Sequence, residues 1–342
     1  MICRDESIPR VYVATPADSP QVSSNAYLRD AFLRHNLARP DASFAGDVRS
    51  ADVVVLMQEF RFRLPDEVAV MLADPFLMGC LPNVYVVNYD DFGRGFLPGL
   101  YTSLTPRLVR SDLHRPCVYP KWPNELAVPE RSPAAASPRW LFSFRGTRHT
   151  ARVREHLFAS FGGAHKQWLV AESTRSIHEH TPETKRQYVQ EILESAYVLC
   201  PRGWSPSTYR LFEAMALGRC PVVISDDWVA IPGIDWDTVS VRVPERSVAM
   251  LPRLLAGLGV ERGLQMGAAA RRVWEQHFSE AKRFHGYLSS ILDLRRQRPP
   301  GYPPRAALAY WHSRAFRRGN RWTLGQRLLD AVRLRVCGSP LR

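Results

Sequence analysis

Apolar residues fall along this chain in short unbroken runs separated by amphipathic stretches. That is the pattern of strands buried on both faces alternating with surface helices. Val11–Ala14, Val53–Met57 and Val84–Asn88 predict three strands in the first half, with an amphipathic helix over Asn25–His35 between the first two. Val84–Asn88 runs into Asp90-Asp91-Phe92-Gly93-Arg94-Gly95. Polar residues in that place, beyond the carboxyl end of a strand, are candidates for binding or catalysis in α/β proteins. A stretch rich in Pro, Ala and Ser, Pro123–Pro138, reads as a linker. The pattern restarts at Trp140–Phe144 and alternates through Val243, and a helical stretch follows from about Glu261 to Arg296. No internal repeat is visible.

The segment 194–245 is the most informative. Tyr197–Cys200, ending at Pro201, and Pro221–Ile224 are apolar runs suited to interior parallel strands. Between them Ser205 can cap a helix whose first residue is Pro206, and Gly218 can end it in the left-handed conformation. Such a helix would start just past the carboxyl end of a strand, where free N–H groups and the helix dipole hold phosphates. Arg202, Ser205, Ser207 and Arg210 bring two cations and two hydroxyls to that point, and arginine's planar fork suits a diphosphate. Arg210 and Glu213 share a helix face, which lets Glu213 accept hydrogen bonds from a pair of sugar hydroxyls one turn further on. A diphosphate beside a ribose is a nucleotide. The bland alternative is a turn at Pro201-x-Gly203 and a solvated Arg210–Glu213 pair worth little. Leu211, Phe212, Met215, Trp228 and Trp236 read as core, and Asp235 as a turn residue.

Pro201-x-Gly203, Ser207-x-x-Arg210, Glu213-Ala214, Cys220-Pro221-Val222-Val223, Asp226, Pro232 and Asp235-Trp236, in that order and spacing, resemble the donor-site core of exostosin-like glycosyltransferases. Arg139-Trp140-Leu141-Phe142-Ser143-Phe144-Arg145-Gly146 is similar to the strand and turn that open the family's nucleotide-binding domain. The resemblance implies an α/β protein of GT-B architecture, two Rossmann-like domains facing a cleft, and an inverting transfer from a nucleotide-sugar donor. Combined with the pattern, it gives an acceptor-side domain over 1–125, a linker over 126–138 and a nucleotide-sugar-binding domain over 139–296. A basic aromatic tail follows over 297–342. Arg145 and Gly146 would help hold the diphosphate from a second loop. Inverting transfer needs a base for the acceptor hydroxyl: Asp91 and Asp90 are the candidates in the first domain, with Asp226 and Asp227 as alternatives. The Gly-x-Asp-His segment of animal and plant members does not occur before the linker. The expected function is transfer of a sugar, from a UDP-sugar, to a glycan or lipid-linked glycan acceptor in cell-surface polysaccharide synthesis. The alternative is a non-catalytic nucleotide-sugar- or glycan-binding partner subunit of the same fold.

Composition changes the picture in two places. The chain has 342 residues, 45% of them hydrophobic, enough for real cores. Its net charge of +13 is concentrated at one end: from Leu294 onward there are twelve arginines and one acid, Asp330, a net of +11. Tyr302, Tyr310, Trp311, Phe316 and Trp322 interleave with these cations. Such a segment fits a peripheral contact of residues 300–342 with an anionic membrane, or a terminal helix packed back on the protein with its arginines solvated. No nucleic-acid motif accompanies the charge, so no nucleic-acid partner is expected. The six cysteines (Cys3, Cys80, Cys117, Cys200, Cys220, Cys337) are scattered and read as reduced core residues. His149, His178 and His180 lack the spacing of a defined metal site, so neither a metal nor a cofactor is expected. No secretory signal or membrane-spanning run is visible. Those features, with arginine far in excess of lysine, suggest a bacterial cytoplasmic protein that can lie on the inner face of the plasma membrane.

Overall fold

In a computed structural model the structure describes residues 8–22, 25–58, 73–91, 97–107, 109–133, 137–173 and 180–297. Phe92–Gly95, His178, Cys3, Cys337 and the arginine-rich segment after Gln297 lie outside these residues, so the readings placed there stand as expectations. The chain divides into two compact units. Among described residues the first comprises 8–101, 106–115 and 289–297, and the second 102–105 and 116–288.

The first unit holds strands β1 (Arg10–Val13), β2 (Ser43–Phe44), β3 (Val53–Gln58), β4 (Val84–Asn88), β5 (Gly99–Tyr101) and β6 (His114–Pro116), with helices α1 (Ala26–Asn36) and α2 (Pro75–Cys80). Its sheet runs β2-β1-β3-β4-β5-β6, and the pairings β1–β2, β1–β3, β3–β4 and β4–β5 are parallel. Every residue of β3 and β4 is buried, as expected for strands covered on both faces. Asn25 caps α1, its side chain accepting from Leu28 N–H at 3.4 Å, and Leu28, Ala31 and Phe32 form the helix's buried stripe.

The second unit holds β7 (Trp140–Gly146), α3 (Arg152–Phe161), β8 (Gly163–Ala164), β9 (Trp168–Glu172), α4 (Pro182–Leu193), β10 (Ser195–Pro201), α5 (Tyr209–Ala216) and β11 (Cys220–Ile224). These are followed by α6 (Trp236–Val239), β12 (Val241–Arg242), α7 (Leu251–Leu258), α8 (Val260–Val273) and α9 (Glu280–Gln297). The strand order is β12-β11-β10-β7-β9-β8, parallel throughout except for the antiparallel edge pair β8–β9. Aromatic and aliphatic side chains of β7, β10, β11 and α3 form one core with Leu251 and Leu255 of α7. Both units are therefore Rossmann-like, mainly parallel α/β sheets.

Three expectations shift. The described residues of 116–138, read as the end of the first domain and the linker, fall with the second unit. Tyr119 stacks on Tyr209 at 3.8 Å, Tyr287 Oη donates to Val118 O, and Arg271 donates to the carbonyls of Pro129 and Glu130. The helical stretch from Glu261 is broken by a wider turn at Trp274–Phe278 and by Ser279, whose backbone leaves the helix. Trp274 and Phe278 are both buried there, with Phe278 edge-on to Phe212. Finally, the helix after β10 starts at Tyr209, not Pro206, with Thr208 in the cap position. Its other end is as read: Gly218 has φ +70°, Gly218 N–H bonds Met215 O and Arg219 N–H bonds Ala214 O, closing the helix in a Schellman turn.

Candidate functional site

Three adjacent strands, β7, β10 and β11, end at Gly146, Pro201 and Ile224, and the chain beyond them gathers polar groups that the protein itself leaves unsatisfied. Ser207 Oγ, Thr150 Oγ1, Ser225 Oγ and two guanidinium nitrogens of Arg210, Nε and Nη1, are buried without a hydrogen-bond partner. Unpaired buried polar atoms are rare in folded proteins and each costs about 1–3 kcal/mol. Their grouping at the carboxyl ends of parallel strands is where such sheets bind ligands.

Arg210 is the second residue of α5 and is 9% exposed. Its Nη2 donates to the carbonyl of Arg145 at the end of β7. The guanidinium lies 4.5 Å from the Phe144 ring centroid and 5.6 Å from that of Tyr188. One edge of the fork is thus anchored and the other is unpaired, beside a cavity of about 10 Å³ lined by Arg145, Tyr188, Glu191 and Arg210. Gly146 permits this approach, since a Cβ there would stand 3.2 Å from Arg210 Nη2.

One turn along α5, Glu213 is 3% exposed. Its Oε2 accepts a 2.5 Å hydrogen bond from Tyr188 Oη of α4. Desolvation pushes the Glu213 carboxyl above its ordinary pKa, opposed by the Tyr188 hydrogen bond and the Arg210 charge. Burial likewise holds the Tyr188 hydroxyl well above its usual value, so it remains a donor.

The other expected cations are already engaged. Arg145 forks onto Glu191, Nε to Oε2 at 2.7 Å and Nη2 to Oε1 at 2.6 Å, so its guanidinium is occupied and its carbonyl is what serves Arg210. Arg202 Nη1 is 3.0 Å from Asp227 Oδ2 and 3.9 Å from Glu245 Oε1. Asp226 and Glu245 clasp each other's backbone N–H at 3.1 Å. Asp226 and Asp227 therefore shape the loop after β11. Ser205 does not cap α5: its Oγ accepts from Ser207 N–H at 3.1 Å and lies 2.7 Å from Ser103 Oγ. Gly203 sits against Arg154, whose Nη2 a Cβ would approach to 3.1 Å. Arg154 of α3 donates to the carbonyls of Arg202 (3.0 Å), Thr147 (3.2 Å) and Pro201 (3.3 Å), tying together the loops that follow β7 and β10.

The structure thus gathers Gly146, Gly203, Ser205, Ser207, Arg210 and Glu213 with the backbone of Arg145 and Arg202. It adds Tyr188, Arg154, Thr150, Ser225 and Ser103, which the sequence reading missed. Each lies on a separate element, and no local motif marks it. In the first unit, Asp90 is buried just beyond β4, its N–H bonded to Asn88 Oδ1 at 3.0 Å, and Asp91 beside it is exposed. Cys80, Cys117, Cys200 and Cys220 are buried and unpaired. Among the described residues no cluster of His, Cys, Asp or Glu is arranged to hold a metal ion, and His180 instead lies 3.2 Å from Ser173 Oγ. No described helix is long and apolar enough to cross a membrane.

Comparison with known families shows what this part of the chain is similar to. Residues 107–258 match the Exostosin GT47 domain, a span that contains every group of the β7–β10–β11 edge described above except Ser103. Over that span the chain is similar to exostosins. Over 195 residues it is 25% identical to Exostosin-1 of Drosophila melanogaster, 52% of this chain and 25% of that protein. Over 113 residues it is 33% identical to the probable glucuronoxylan glucuronosyltransferase IRX7 of Arabidopsis thaliana, 32% of this chain and 22% of that protein. The exostosin-like chain therefore spans about a quarter or less of the length of these relatives. Among solved structures, HepE of Anabaena in complex with UDP and glucose aligns with a TM-score of 0.45 at 8% identity, over 84% of this chain and all of that one.

Proposed function

We propose that this exostosin-like chain is an inverting glycosyltransferase that takes a UDP-sugar at the carboxyl edge of its second sheet and passes the sugar to a glycan or lipid-linked glycan. The observation that carries the reading is the set of buried, unpartnered groups there: Arg210 Nε and Nη1, Ser207 Oγ, Thr150 Oγ1 and Ser225 Oγ. A diphosphate supplies acceptors for all of them. Arg210, held on one side by the Arg145 carbonyl, meets the charge that grows on the departing nucleoside diphosphate without reorganising. Glu213 takes the ribose hydroxyls. Asp90 or Asp91 removes the proton of the acceptor hydroxyl, and Asp90→Asn and Asp91→Asn should then lose turnover while still binding nucleotide. The glucuronosyltransferase names of plant relatives agree with a nucleotide-sugar donor.

The test is a calorimetric titration with UDP, GDP, ADP and CMP, with Glu213→Ala and Arg210→Ala alongside. Saturable binding of one nucleotide, lost in both variants, supports the reading. Binding of none overturns it. A second reading, a nucleotide-binding partner subunit without turnover, is favoured by the engagement of Arg145 and Arg202 with acids. Donor binding with neither transfer nor donor hydrolysis across an acceptor panel would establish it. We place the protein in the cytoplasm, with residues 300–342 on an anionic membrane. Failure of the full chain to sediment with phosphatidylglycerol vesicles would end that part.

A further inference from the structure

The hydroxyl of Tyr188 and the carboxylate of Glu213 meet at 2.5 Å although they lie on different helices, α4 and α5. We propose that Tyr188 is a positioning residue for nucleotide binding that acts through Glu213, holding one carboxylate oxygen and presenting the other to the ligand's ribose hydroxyls. The proposal rests on the donor site described under Proposed function.

Glu213 has two oxygens and one is spent on Tyr188. The second, Oε1, takes no part in that bond. An ionised carboxylate offers acceptors only, the form a pair of donating hydroxyls requires. Burial works against that form, and two groups sustain it: the Tyr188 hydroxyl from α4 and the Arg210 guanidinium one turn back on α5. The other groups nearby do not take over this task. Arg145 of β7 and Glu191 of α4 are committed to each other, and burial holds the Cys200 thiol of β10 far above its usual pKa, hence neutral. Tyr188 is itself kept in place by packing, its ring lying 5.6 Å from the Arg210 guanidinium and lining the same small cavity. Removing the hydroxyl while keeping the ring therefore strips a donor from Glu213 and leaves the packing intact.

Without Tyr188 Oη the neutral carboxyl is favoured, Glu213 ionises at higher pH, and nucleotide binding is lost from the acid side at higher pH. The experiment titrates the full chain with UDP, GDP and ADP in turn between pH 5 and 9. It uses wild type, Tyr188→Phe and Glu213→Gln, each checked by thermal unfolding. In Tyr188→Phe we expect affinity about ten- to a hundredfold lower at neutral pH, the loss of a hydrogen bond to a charged group, recovering toward wild type at alkaline pH. Glu213→Gln should be weak and flat across the range. A Tyr188→Phe profile that matches wild type, or that falls equally at every pH as a merely structural change would, overturns the proposal while binding lost in Glu213→Gln leaves the donor site standing. If wild type binds none of the three, both fall.

Discussion

Gly146 and Arg210 are fitted to each other: a Cβ on Gly146 would stand 3.2 Å from Arg210 Nη2 and 2.9 Å from Phe144 Cζ. Phe144 is 1% exposed and has nowhere to retreat. Gly146→Ala should therefore displace the guanidinium from the Arg145 carbonyl and crowd the core. We expect a stability loss of about 1–3 kcal/mol, the usual result of overpacking, read from urea unfolding. Nucleotide affinity should fall further than in a control of equal destabilisation at Ala196, a buried core position of the second unit.

Arg154 makes a second prediction because its three hydrogen bonds go to backbone carbonyls of two loops. Arg154→Ala frees the turn that carries Gly203 and Ser207, and faster amide exchange over residues 202–208 is the expected signature. Lysine keeps the charge and lacks the fork, so Arg154→Lys should recover little of the protection.

What the sequence disclosed follows from how local each signal is. β4 and β11 are unbroken apolar runs, and Gly218 announces its left-handed turn by lacking a side chain. The start of α5 misled because Trp204-Ser205-Pro206-Ser207-Thr208 offers three hydroxyls that can each cap a helix. Ser205 spends its oxygen on Ser207 N–H and Ser103 instead, and only packing selects among the three. The Arg210–Glu213 spacing was legible, whereas Tyr188 and Arg154 reach the site from α4 and α3, 25 and 48 residues from the groups they bind. Arg145 shows the converse. Its position at a strand end suggested a free cation, and an acid 46 residues on had already claimed it.

That pairing yields a third prediction. The Arg145–Glu191 fork is largely buried, with side chains 25% and 10% exposed. Removing one partner leaves the other uncompensated, at a cost of about 3–5 kcal/mol for a fully buried pair and less here. A double-mutant cycle of Arg145→Met and Glu191→Gln should give a coupling of about 1–3 kcal/mol. Because the guanidinium is occupied, Arg145→Met should weaken nucleotide binding much less than Arg210→Ala. Equal losses would return Arg145 to the ligand.

Glu213 ties stability to function with opposite signs. Its folded pKa lies above the ordinary value, so between the unfolded and folded pKa the native state holds the proton that the unfolded chain has released. Stability contributed by this group is therefore fully present below the ordinary carboxylate pKa. It is lost as pH rises through the folded value. Glu213→Gln removes the titration and keeps a carbonyl oxygen for the Tyr188 hydroxyl. The variant should unfold at a temperature equal to or above wild type at pH 7 and lose the wild-type slope of stability with pH on the acid side, while nucleotide affinity drops about tenfold or more. Thermal unfolding from pH 4 to 8 beside a nucleotide titration checks both halves. A variant less stable than wild type at pH 7 would mean that the ionised carboxylate is a net support of the fold, and that its burial is not a cost borne for the ligand.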